Sequence, residues 1–170
     1  DAYGEANAVF PSHPLARAAY KDEIDYAATL GVNNFVNPDY NWPWYRGIGY
    51  GKWIVQVFRE NLSGEDEGLD LLPGPGGHPA ELIHFHDYYE QNHGVRWSPS
   101  DVGIASWSEF MPVAAAKAAN GTVQDRRNYS LATALAQYEW LRQAQRFGRW
   151  AKAHGGTHEI MPNPEDVGGG

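Results

Sequence analysis

Glycine and proline divide this 170-residue chain into short stretches, and their placement fixes where regular structure can run. Together they supply 30 residues, about 18% of the chain against a usual ~12%. Proline has no backbone donor and glycine favours turns and helix ends, so both residues punctuate helices rather than extend them. Gly31, Gly94, Asn120-Gly121 and Gly155-Gly156 stand where helical patterns stop, and Pro73-Gly74-Pro75-Gly76-Gly77 interrupts the middle of the chain. Between these breaks the apolar residues keep a helical period, and no alternating run of five or more stands out. The pattern predicts an all-α fold, an irregular bundle of four to five helices with long ordered loops and an extended C-terminal tail. With 42% apolar residues the chain has material for one core, which places a single helical domain at 1–160 and the tail at 161–170.

Ser12 and Pro14 open a first predicted helix that reaches Leu30, with Leu15, Ala19, Tyr26 and Leu30 near one face of an ordinary amphipathic helix. Residues 33–44 are dense in Asn, Pro and aromatic rings and read as an ordered loop. A second helix is expected from about Trp44 to Asn61, loosened at its start by glycines, and Ser63 to Gly77 follows as an acidic linker. Pro79 opens a third helix that ends at His93. Ser98-Pro99-Ser100-Asp101 caps a fourth, in which Pro112 should cause a kink before the stop at Asn120-Gly121. The last helix, about Asn128 to His154, is the longest. Ala134, Tyr138, Leu141, Gln145 and Gly148 lie along one line, with Leu131, Leu135 and Trp140 nearby.

Whole classes of chemistry are absent from the residues themselves. Without cysteine there is no disulfide, no thiolate-ligated zinc or iron–sulfur cluster and no thiol nucleophile. No apolar run approaches the ~20 residues that span a bilayer, so no transmembrane segment is predicted and membrane association would be peripheral. Gly47-Ile48-Gly49-Tyr50-Gly51-Lys52 lacks the spacing of a phosphate loop and reads as a site of close packing. Asn61-Leu62-Ser63, Asn120-Gly121-Thr122 and Asn128-Tyr129-Ser130 meet the N-glycosylation rule. The first residue is Asp1 rather than Met, which points towards a processed, exported or organellar protein.

The densest chemistry lies in the run from His84 to His93. On a helix from Pro79, His86, Glu90 and His93 form one stripe, while Glu81 and His84 form another. Either stripe offers ligands to a divalent metal, and Glu-x-x-His occurs twice, as in helical di-iron carboxylate sites. The second motif such a site needs on another helix is missing. His84, His86 and Glu90 also have the spacing of a cupin metal strand, but the upstream glycine and the matching second motif of that family are not present. A neutral imidazole on this helix could instead ligate the metal of a pigment or haem, with Phe85, Tyr88 and Tyr89 covering the macrocycle. The stretch from His78 to His86 resembles a helix in the repeats of peridinin–chlorophyll proteins, and no site residue is carried over from that likeness.

Charge is distributed unevenly. The net charge is −8, yet residues 117–152 hold seven basic and two acidic side chains, whereas residues 1–116 hold six basic and sixteen acidic. Arg142, Arg146 and Arg149 follow one face of the last helix, a stripe suited to an acidic protein surface or to anionic head groups. Nucleic acid is not the expected partner, because most of the surface would repel a phosphate backbone. Seven tryptophans exceed what a small core needs, and Trp42 and Trp44 join the arginines as candidate partner-binding residues. These features fit a non-catalytic accessory subunit of a larger protein assembly, and one setting that suits it is the periphery of an energy-converting membrane complex. Two rivals are a His/Glu metal-dependent enzyme centred on residues 81–93, and a pigment- or haem-binding helical protein.

Overall fold

The computed structural model of the chain describes residues 14–37, 52–64 and 84–160. It is predominantly helical. In chain order the elements are α1 (Pro14–Thr29), β1 (Asn34–Asn37), α2 (Lys52–Ser63), α3 (Phe85–His93), α4 (Ala115–Asn120), α5 (Val123–Ala153) and β2 (Thr157–Ile160), with two single turns of 3-10 helix at Pro99–Val102 and Trp107–Glu109. None of the described helices is long and apolar enough to cross a membrane. The described residues fall into two units, 14–37 with 140–160 and 52–64 with 84–139. At about 1.5 Å per residue α5 is roughly 46 Å long, and it lends one half to each unit.

In the first unit, α1 and the second half of α5 end in the same way. At α1 the N–H of Val32 donates to the Ala27 carbonyl and that of Gly31 to Ala28. At α5 the N–H of Gly156 donates to Ala151 and that of Gly155 to Lys152. Both are left-handed helix stops, and Gly31 (φ 83°) and Gly155 (φ 72°) occupy a backbone region that costs glycine nothing. Each stop delivers the chain into a four-residue strand. The strands pair in parallel with Asn34 opposite Thr157, which the reading of 33–44 as an irregular loop did not anticipate. Gly156 sits so close to the Asn33 carbonyl that a Cβ would lie 2.8 Å from it.

Two side-chain contacts link the helices that precede these strands. The Tyr20 ring meets Phe147 edge-on at 5.3 Å, and His154 Nε2 donates to Asp25 Oδ1 at 2.7 Å. Lys21 bonds the same carboxylate, and these two hydrogen bonds hold the Asp25 carboxyl below the usual carboxylate range. Phe147, Trp150 and Ala151 are buried here together with Ala16 and Arg17. The helical line Leu15, Ala19, Tyr26 and Leu30 is exposed. An amphipathic helix ordinarily turns such a face inward, so α1 is oriented against the expectation from its pattern.

The second unit has the more apolar core. Ile54, Val55, Val57, Phe58 and Leu62 fill the inner face of α2, and Phe85, Phe110, Leu131, Leu135 and Tyr138 are buried with them. Burying each large side chain contributes roughly 1.5–3 kcal/mol. Asn61 Nδ2 donates to Glu139 Oε1 at 2.8 Å inside this core, and Arg59 Nε donates to the Phe110 carbonyl at 2.9 Å.

The fourth predicted helix is broken into two 3-10 turns, an extended stretch and the short α4. Its cap is present: Asp101 Oδ2 accepts from the backbone N–H of Ser98 at 2.9 Å and from its hydroxyl at 2.7 Å. The break falls before α4, where proline disfavours helical geometry at Met111. Asn128, buried in α5, holds that stretch from outside. Its Oδ1 accepts from Val113 N–H at 2.9 Å and its Nδ2 donates to the Met111 carbonyl at 3.0 Å. The start of α5 is secured by a reciprocal cap between Thr122 and Asp125, which moves it five residues ahead of the predicted Asn128.

Candidate functional site

The His84–His93 run begins α3 later than predicted. His84 has extended geometry (φ −60°, ψ 153°) and precedes the helix, so only His86, Glu90 and His93 share its surface. His78 and Glu81 lie outside the described residues. Phe85 anchors the helix, with its ring edge-on to Tyr138 at 5.5 Å, and Tyr88 lies 5.5 Å from the same ring. Tyr89 packs on His93 at 4.4 Å and Trp97 at 5.8 Å. The three rings that could have covered a macrocycle are therefore packed on neighbouring side chains.

The proposed ligands have separate local tasks. His86 Nε2 lies 2.9 Å from the Leu62 carbonyl, and because a carbonyl only accepts, the ring donates there and ties the end of α2 to α3. The Trp107 ring lies beside that imidazole, with centroids 5.7 Å apart. Glu90 and Asp87 both accept from Arg96 Nη1, at 2.9 and 2.8 Å. This guanidinium holds the Asp87 carboxyl below its ordinary range, while its own pKa is raised by the two carboxylates. His93 is exposed against Tyr89. Among the described residues no group of three His, Asp or Glu side chains is arranged to hold a metal ion.

The arginine stripe is placed differently from the expectation of a surface that meets an acidic partner or anionic head groups. Arg142 is 3% exposed and Arg146 1%, whereas Arg149 is half-buried. Arg146 Nη1 donates to Gln143 Oε1 at 2.8 Å, and Arg17, Arg142 and Arg146 all make further interactions within the chain. Their spacing coincides with the buried side of α5 that also carries Phe147, Trp150 and Ala151. Polar character along a helix identified a stripe but assigned it to the wrong environment. Trp42, Trp44 and Gly47–Gly51 lie outside the described residues, as does most of the 63–77 linker.

The three glycosylation sequences also separate. Asn61 and Asn128 are buried and hydrogen-bonded in the second unit, whereas Asn120 is exposed at the end of α4. An open groove of about 590 Å³ lies in the same unit, lined by Val102, Ile104, Met111, Val113, Lys117 and Asp125 among others. Its charged pair, Lys117 Nζ and Asp125 Oδ1, is closed at 3.0 Å.

What sequence reasoning missed is the outer face of α1. Leu15 is 75% exposed, Tyr26 66% and Leu30 65%, and Val32 just beyond the helix is also exposed. Asp22 and Glu23 stand exposed among them. Ala16, Tyr20, Ile24 and Ala27 form a second, weaker apolar line on the other side, and that was the signal that the more obvious stripe need not face the core. No protein-family model, curated protein or solved structure matches this chain.

Proposed function

We propose that this chain is a non-catalytic accessory subunit of a larger protein assembly. The observation that carries the reading is the outer face of α1, where Leu15 and Tyr26, with Leu30 in the turn that closes the helix, are each more than 60% exposed along one line. Large apolar side chains held out to water along one line give another molecule a set of anchors. The second unit favours the same reading, since His86, Glu90 and His93 are each held in a structural contact instead of converging on an open position. Native-extract sedimentation followed by detection of the chain tests the proposal. The expected result is that the protein travels in a particle several times its own 18.9 kDa, at fixed stoichiometry with other polypeptides. Migration as an 18.9 kDa monomer would overturn the reading.

A further inference from the structure

The outer face of α1 also specifies the chemistry of what it meets. From Leu15 the spacing i, i+4, i+7, i+11 runs through Ala19, Asp22 and Tyr26, about 16 Å or three helical turns, and Leu30 extends the line in the turn that closes the helix. All five are exposed, and Glu23 borders them. The described cations of α1 do not contribute there: Arg17 is buried and Lys21 is bound to Asp25. The face thus combines apolar anchors with uncompensated negative charge.

We propose that this face docks a basic amphipathic helix of a neighbouring subunit, with Leu15, Tyr26 and Leu30 as anchors and Asp22 and Glu23 as the charged rim. The inference rests on the accessory-subunit reading and adds the surface and the chemistry of the neighbour. Charge complementarity selects the occupant. A second copy would set the same acids against one another, and an anionic bilayer or a nucleic acid would be repelled for the same reason. A helix with leucines on one side and lysines at its margins satisfies both components. Ala19, between Leu15 and Tyr26, leaves room for one of its side chains to approach closely.

The test uses the full chain and two labelled synthetic helices of about 18 residues, five turns long, each with one leucine face and with either lysine or glutamate at its margins. Fluorescence anisotropy should show the lysine helix binding at least about tenfold more tightly than the glutamate helix, with the difference shrinking as salt rises from about 50 to about 500 mM. Tyr26→Ser with Leu30→Ser should weaken binding about tenfold or more, because these positions are exposed and their loss removes anchors without touching the core. Asp22→Lys with Glu23→Lys should reverse the preference towards the glutamate helix. Unchanged circular dichroism and melting of both variants establish that the fold is intact. The proposal is overturned if the lysine helix does not bind, or binds wild type and variants alike. It is equally overturned if self-association in sedimentation, or binding to phosphatidylserine vesicles, is what Leu30→Ser abolishes. If the Tyr26→Ser, Leu30→Ser chain still enters the native particle at wild-type stoichiometry, this docking surface fails while the subunit reading stands. If the wild-type chain enters no particle, the subunit reading itself fails.

Discussion

Replacing Asn128 by alanine should destabilise the second unit by about 1.5–4.5 kcal/mol, a large effect for one uncharged side chain. The magnitude follows from its two bonds to the extended stretch before α4, at 2.9 Å from Val113 N–H and 3.0 Å to the Met111 carbonyl. Val113 is half-buried, so its N–H would lose its partner with restricted access to water, at a cost of about 1–3 kcal/mol. Met111 is half exposed, and water can replace the lost donor at its carbonyl, which limits that loss to about 0.5–1.5 kcal/mol. A domain of this size melts roughly 2–4 °C lower per kcal/mol, so thermal and urea unfolding should both resolve the change. Asn128→Asp separates the two halves of the amide. Its carboxylate still accepts from Val113, but it sets an acceptor against the Met111 carbonyl. The variant should therefore be weakest at neutral pH and recover as the pH falls and the new carboxyl gains a proton. Asn120→Ala, which removes an exposed bond to the Ala116 carbonyl, is the matched control and should stay within about 0.5 kcal/mol of wild type. If Asn128→Ala costs no more than Asn120→Ala, Asn128 does not hold the extended stretch in place, and the account of why the fourth predicted helix breaks is wrong.

Other outcomes follow from contacts described above. Gly156→Ala should cost about 1–3 kcal/mol in a thermal melt, because the new methyl would lie 2.8 Å from the Asn33 carbonyl and the strands cannot separate without losing their pairing. The Asp125 carboxyl is pulled down to about 2, chiefly by the backbone N–H of Thr122, then by its hydroxyl and by Lys117. A pKa lower in the folded than in the unfolded chain means that its stabilising contribution is complete above the ordinary value of 3.8 and disappears as the pH drops towards 2. Acid unfolding followed by circular dichroism should accordingly lose part of its steepness in that window in Asp125→Ala. His86→Ala should destabilise by about 1–3 kcal/mol through loss of the bond to Leu62, while His93→Ala stays near wild type. Elemental analysis of both purified variants should match wild type, and a stoichiometric metal lost only in His86→Ala would restore the metal-enzyme reading.

Local chemistry made much of this architecture legible in the residues. Gly31 and Gly155 mark the ends of α1 and α5 to within a residue or two, because a left-handed stop depends on its own few neighbours. Ser98 and Asp101 likewise form their cap where the pattern placed it. Legibility failed where the outcome depends on residues far apart in sequence. Pro112 signals a disturbance, but only Asn128, lying fifteen residues or more further on, turns that disturbance into an extended strand-like stretch. The 3.6-residue period reveals that Leu15 and Tyr26 share a face of α1, with Leu30 continuing it past the helix end, and that Arg142 and Arg146 share one of α5. It does not say which face meets a neighbour. In the first unit both assignments come out reversed, with arginines inside and leucines outside. The His84–His93 run failed differently, since shared helical spacing brings side chains near one another without leaving their atoms available.

The parallel pairing of β1 with β2 also sets an order in time. The partners Asn34 and Thr157 are 123 positions apart, so the first unit is discontinuous and the second lies wholly between its first and last segments in the sequence. On a ribosome, α1 and β1 must wait for the 123 positions up to Thr157 before they can pair, whereas residues 52–64 and 84–139 can meet in their core within that interval. Over that interval the nascent chain carries the inner side of α1 uncovered, where Ala16 is buried and Tyr20 meets Phe147 in the finished fold. A variant that slows the folding of the second unit should lengthen that interval and show itself as aggregation during synthesis, even where the finished protein is as stable as the original.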